Sequence, residues 1–377
     1  MKKYLFAMIA LAGALALAGC DKENGENKEP LPDPEITNEV EIKDIPFTGG
    51  EFTFEFDANR DWTVTGDAEV SVGGVTYEFG LAPTSGEAGH GKITVTAPAN
   101  KGTEPIEYSF TITLLGENQT SADAYTKEFQ LTVPAPSVTD AAGNTYKVVY
   151  LKDGNYWMAE NLRYIPEGKT VSDDATKPTE GIYYPVNKTD KKLDKELVAT
   201  YGLLYQPSAA FGVELNKDNY KEVEGCQGVC PKGWHIPTAK EYIALVGRIN
   251  KNETLGYDVD VKAPYYDATT KWGSTAKLNE DGFNIDQSSG YLNASNSSAK
   301  SLTILSTMGW ILGSSWHIGF NAKGEQASPT FGADGSLTKV QYYSLMIYYN
   351  NMNNNVGTIN SHLCAVPVRC VMDKAAE

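Results

Sequence analysis

The sequence predicts a multidomain, β-rich chain. An all-β sandwich over residues 36–135 is followed by a second domain, residues 137–377, with one clear helix. Three observations carry this. Short segments of the first half alternate apolar and polar residues with period two, as half-buried strands do. Pro134, Pro136 and Ser137 then punctuate the chain. Helical spacing emerges clearly only after Thr238 and Glu241, a Thr-x-x-Glu pair that reads as a capping box.

Ahead of the sandwich, residues 1–19 have the order of a lipoprotein signal peptide. Lys2 and Lys3 precede an apolar run, and Leu17, Ala18 and Gly19 lead into Cys20. Small residues admit the peptidase, and the Cys20 thiol is the expected site of the diacylglyceryl group. The apolar run, about 12 residues, falls short of the roughly 20 that a membrane span needs. Residues 20–35 form an acidic spacer. From 21 to 34 it holds no aromatic or β-branched residue, so it has little apolar surface to bury. The expectation is an outer-membrane lipoprotein exposed at the cell surface, touching the membrane through its lipid alone.

Charge narrows the partners. Removing Lys2 and Lys3 takes Lys+Arg from 32 to 30 against 48 Asp+Glu, so the net charge moves from −16 to −18. Nucleic acid is not an expected partner, because phosphate contacts need clustered Lys and Arg.

Within the sandwich, Phe52, Phe54 and Phe56 alternate with Thr53 and Glu55, and residues 93–96, 108–114 and 129–133 repeat the pattern. Gly49-Gly50 allows a positive-φ turn, and Trp62 is a core candidate. The run from Ile45 to Phe54, followed by Asn59-Arg60-Asp61-Trp62, resembles the BACON-type immunoglobulin-like modules of Bacteroidetes surface proteins. That resemblance implies an immunoglobulin-like stalk.

The second domain carries ordered motifs. Tyr156-Trp157-Met158-Ala159-Glu160-Asn161-Leu162 comes early, then Tyr201-Gly202-Leu203-Leu204-Tyr205. Cys230-Pro231-Lys232-Gly233-Trp234-His235-Ile236-Pro237-Thr238, Gly282-Phe283-Asn284 and Val368-Arg369-Cys370-Val371 follow. In this order they resemble the Fibrobacter succinogenes major paralogous domain. The resemblance implies an α+β fold of the C-type lectin-like class, related to formylglycine-generating enzymes. From the residues themselves, Tyr242, Leu245 and Ile249 continue one helical face, which predicts a helix over 239–249. Trp157, Trp234 and Trp310 are core candidates, and His235 is expected to be a satisfied core or turn histidine.

Besides Cys20 there are four cysteines, Cys226, Cys230, Cys364 and Cys370. An even number in an extracytoplasmic chain points to disulfides, with three pairings open. The family resemblance implies Cys230–Cys370 and leaves Cys226 to pair with Cys364. The competing reading is a zinc site on the Cys226-x-x-x-Cys230 spacing, with His235 and His362 as further ligands.

Catalysis is not expected. The chain has four histidines, His90, His235, His317 and His362, and lacks HExxH, a Gly-x-Ser-x-Gly elbow and a phosphate-cradling loop. No cofactor or resident metal is expected. Nor does the chain carry the calcium-and-sugar triplets of animal C-type lectins.

The most suggestive segment runs from residue 309 to 360. Trp316, His317, Tyr342, Tyr343, Tyr348, Tyr349, Asn350, Asn351 and Asn353 combine rigid rings with short amides, the chemistry of adaptable binding surfaces. In C-type lectin-like adhesins the corresponding segment forms the exposed ligand face. A competing reading makes part of it a core strand ending in a polar turn. The expected function is a cell-surface adhesin or ligand-binding lipoprotein whose partner is a glycan or surface protein of a host or neighbouring cell. The alternatives are a fimbrial tip or stalk subunit partnered by other fimbrial subunits, and a polysaccharide-processing enzyme.

Overall fold

The computed structural model describes residues 32–38, 45–116, 124–246, 265–266, 278–285, 290–294, 300–305, 308–317, 319–320, 326–348, 355–359 and 361–374. The period-two segments become two four-stranded antiparallel sheets. One has the order Ile36–Thr37, Gly50–Ala58, Gly89–Ala97, Gly80–Ala82; the other Tyr125–Val133, Ile106–Leu114, Trp62–Gly66, Ser85–Gly86. Their inward residues, Phe54, Phe56, Trp62, Ile93, Val95, Phe110 and Ile112 among them, share one core. Each such side chain contributes about 1.5–3 kcal/mol on burial. Trp62 meets Phe56 edge to face at 5.2 Å. Gly49 makes the expected turn at φ +68°, and a Cβ there would lie 2.4 Å from the Ala97 carbonyl oxygen.

The second domain is mostly β. A five-stranded antiparallel sheet has the order Ser137–Thr139, Thr145–Tyr150, Tyr156–Met158, Val371–Met372, Trp234–His235. A second sheet joins Met308–His317, Gln341–Tyr348 and Asn355–Thr358. The α-helices Val198–Tyr201, Pro207–Phe211 and Ala239–Val246 are short, so helix adds less to this domain than the α+β expectation implied. The last helix begins where its capping box predicts: the Thr238 and Glu241 backbone amides donate to the Glu241 carboxylate and the Thr238 hydroxyl, at 2.8 and 3.3 Å. It buries Ala239, Tyr242, Ile243, Leu245 and Val246. Residues 247–249 of the predicted helix lie outside the described residues.

The chain's last described segment organises this domain. Cys364, Ala365, Val366, Val368 and Cys370 are fully buried. The backbones of Ala365, Val366, Val368 and Cys370 bond to Leu292, Tyr205, Leu162 and Met158 in turn, and Leu312 donates to the intervening Pro367 carbonyl. One extended segment thus satisfies strands from several small sheets, which none could hold as an isolated hairpin.

Candidate functional site

The motifs of the second domain converge on scaffold. Arg369 is 4% exposed. Its Nε donates to the Asn161 side-chain oxygen at 2.7 Å, one terminal nitrogen to the Asn284 carbonyl at 3.0 Å, and the other to the Phe283 carbonyl. Three motifs distant in sequence therefore meet on one guanidinium. Trp157 is fully buried and Trp234 and Trp310 nearly so, as expected.

Cys230 and Cys370 are disulfide-bonded, which staples the central C-terminal segment beside Trp234. Cys226 and Cys364 remain thiols, so the expected Cys226–Cys364 bridge is corrected. Cys364 faces the strand Tyr291–Asn293: its thiol donates to the Asn293 side-chain oxygen and accepts from the Ala294 amide, each at 3.4 Å. Burial pushes the Cys226 thiol up to about 11, which suppresses the reactive thiolate. The disulfide also removes Cys230 from the competing zinc set. Among the described residues, no group of three or more His, Cys, Asp or Glu side chains is placed to hold a metal.

His235 lies between two carboxylates. Its Nδ1 is 2.6 Å from Asp373 and its Nε2 3.0 Å from Glu241. Burial opposes the imidazolium, but hydrogen bonds and charge from Glu241 and Asp373 outweigh it, and the pKa is raised. The side chain ties the strand Trp234–His235 to the helix N-terminus and the chain's end.

The expected aromatic face divides. Tyr342 and Tyr343 are 0% and 2% exposed, so their assignment to a ligand face is corrected. Successive strand residues point to opposite faces, and both faces of this sheet are covered. Tyr342 packs with Phe211 and donates to the Tyr220 carbonyl at 3.1 Å. Tyr343 lies in the other core cluster, with the half-buried His317 ring edge-on at 5.0 Å. Trp316 is half-buried; Tyr220 meets it edge to face at 5.3 Å, and the Lys221 ammonium sits 4.7 Å over its ring. Tyr348 closes the strand Gln341–Tyr348. Tyr349, Asn350, Asn351 and Asn353 lie outside the described residues.

A concave site lies elsewhere in this domain, and sequence reasoning did not find it. A cleft of about 580 Å³ is walled by residues 166, 167, 169, 179–182, 206, 208, 209, 212–215, 337, 362 and 363. These loops are far apart in sequence and share no periodic signal. Gln206, 5% exposed, stitches them together. Its amide nitrogen donates to the Pro178 and Leu363 carbonyls at 2.7 Å each, and its oxygen accepts from the Gly181 amide at 3.1 Å. Gly212 ends the helix Pro207–Phe211 in the left-handed region, at φ +73°, and turns the chain along the rim. His362 also lines the cleft, and burial pulls its pKa down to about 4, so its imidazole is neutral at pH 7. A concavity of this size with a few convergent polar groups is a candidate ligand site.

No curated protein matches the chain significantly. Among solved structures it is similar to an ASH/PapD-like domain of human CEP192, at 18% identity over 31% of this chain and 95% of that one, with a TM-score of 0.20. It is also similar to a chain from a chaperone-tip adhesin complex of CFA/I fimbriae, at 10% identity over 44% of this chain and 76% of that one, with a TM-score of 0.19. Scores this low do not establish a shared fold. The sequence from residue 153 to 372, more than half of the chain and the part in which these motifs meet, matches the Fibrobacter succinogenes major domain, and the protein belongs to that family.

Proposed function

We propose that the protein is a surface-exposed lipoprotein that binds, rather than transforms, a glycan or protein on a host or neighbouring cell. The lipid on Cys20 and the spacer tether it, the sandwich serves as an immunoglobulin-like stalk of the BACON type, and the family domain, a C-type lectin-like head, presents the ligand site. The observation that carries this reading is the cleft held in shape by Gln206, a pre-formed concavity in the head. The order of lipobox, spacer and sandwich ahead of the head supports a tethered display.

The test uses residues 21–377, disulfide intact, on arrays of glycans and surface proteins. Val213 is 42% exposed and lines the cleft, so Val213→Arg fills the site without disturbing the core. The expected result is a ligand that binds the parent and is lost in this variant. Binding that survives Val213→Arg moves the site off the cleft, and silence by the parent overturns the binding reading. In cells, Cys20→Ala is expected to release the protein from the membrane fraction.

The fimbrial alternative draws on one feature. The strand Tyr125–Val133 lies at the edge of its sheet, where an added strand would pair. Lys127 falls on that strand's core-facing side, alternating with Phe129 and Leu131, a charge placement that discourages edge pairing. We therefore favour the adhesin.

A further inference from the structure

Taking the cleft as the ligand site, we propose that it accepts a basic segment of a partner polypeptide, with a lysine or arginine side chain laid along its aliphatic wall and the cationic head among its carboxylates. Glu167, Glu180 and Glu214 line the cleft and are exposed, against a single lining cation, Lys169. Among the described residues these three carboxylates take part in no ion pair, so their charge is available to a ligand. His362 adds no positive charge at neutral pH.

The walls select the kind of cation. The apolar lining is aliphatic, with Val213 and Leu337 at hand, and no Phe, Tyr or Trp lines the cleft. Sugars are gripped by stacking their C–H faces on aromatic rings. Long cationic side chains instead lay methylenes on aliphatic surface and keep the charged head in a polar setting. Nor is the half-buried Trp316 ring an open sugar platform, since the Lys221 ammonium sits over it. Charge complementarity and wall chemistry thus favour a basic peptide over a neutral glycan. Carboxylate-to-guanidinium or ammonium pairs are the stronger kind of hydrogen bond, and they also steer encounter.

The experiment screens random short peptides on an array with residues 21–377, disulfide intact. Peptides that bind the parent are expected to be enriched in Lys and Arg. Affinity for a selected peptide should fall about tenfold or more in Glu167→Gln/Glu180→Gln/Glu214→Gln, since each step of that size reflects only modest charge-pair energy. A charge-matched control, Glu51→Gln/Glu78→Gln/Glu128→Gln on the sandwich, should change it less than about threefold, because exposed distant charges are screened. Both variants must keep the parent's thermal midpoint. Binders without Lys or Arg enrichment overturn the inference, as does an equal loss in the control. A glycan whose binding is lost in Val213→Arg also overturns it, while leaving the cleft as the binding site. Silence toward peptides, proteins and glycans alike removes the binding reading itself.

Discussion

Arg369 concentrates the second domain's stability in one side chain. Its guanidinium spans Asn161, Phe283 and Asn284, and it also lies 4.9 Å over the Phe283 ring. Lysine keeps the charge but not the planar fork, so it cannot reach the same acceptors together. Arg369→Lys should cost about 2–4 kcal/mol, because buried carbonyls lose donors and a charge is left poorly placed. Urea unfolding measures this, and a loss under about 0.5 kcal/mol would refute it. A different dependence belongs to His235 and Glu241. The raised pKa of His235 contributes stability that is present below its ordinary 6.5 and lost as pH rises through the folded value. Glu241 is opposed by burial, but its bonds to His235 and Thr238 lower its pKa, so its contribution is lost as pH falls through a value under 4.5. The destabilisation caused by His235→Gln should therefore be largest between about pH 4.5 and 6.5 and shrink on the alkaline side. A difference that does not vary with pH would place no charge on this histidine.

The helix Ala239–Val246 and the Cys230–Cys370 staple hold the element scale together. Thr238→Ala removes a cap and should cost about 1 kcal/mol. The staple closes a loop with a sequence separation of 140. In the chain-entropy account, Cys230→Ser/Cys370→Ser should cost about 5 kcal/mol. Without reduction, alkylation of denatured residues 21–377 should label two cysteines, Cys226 and Cys364; labelling none would restore the second bridge. The capping box was legible in sequence because its signal is local: a hydroxyl and a carboxyl three residues apart. Cys230–Cys370 was legible only through family resemblance. Nothing local marks Cys364 as a partner of the Tyr291–Asn293 strand rather than of Cys226. Tyr342 and Tyr343 misled for a related reason. A run of adjacent aromatic and polar residues resembles an exposed loop, and only the sheet covered on both faces turns it inward. The cleft left no trace at all, since its walls meet only once the chain has folded.

At the scale of the whole molecule, the question is whether the sandwich and the second domain move independently, the default for domains joined by a modest interface. Asn100 argues against it. The residue is fully buried in the sandwich at the boundary with the second domain. Its amide donates to the Phe47 carbonyl at 2.7 Å, and its side-chain nitrogen to the Glu104 and Pro134 carbonyls at 2.8 and 2.9 Å. Its side-chain oxygen accepts from the Gly102 amide and the Tyr77 hydroxyl. The Asn100 carbonyl then accepts from the Tyr156 hydroxyl of the second domain at 3.0 Å, while Phe47 meets the same tyrosine ring edge to face at 5.0 Å. Burial around Tyr156 pushes its phenol up to about 12, so the hydroxyl stays a donor through the physiological range. Lys101 adds a cation over the Tyr150 ring at 5.0 Å. A joint with a satisfied hydrogen-bond hub and packed aromatic contacts resists hinging, because bending must expose groups that have no other partner. The two domains should therefore unfold in one calorimetric transition. Phe47→Ala/Tyr156→Phe removes the ring contact and the cross-boundary bond and leaves the rest of the Asn100 network in place, so it should split that transition in two. Two separated transitions in the parent would mean that the two domains are independent, and that the joint does not fix the direction in which the cleft faces.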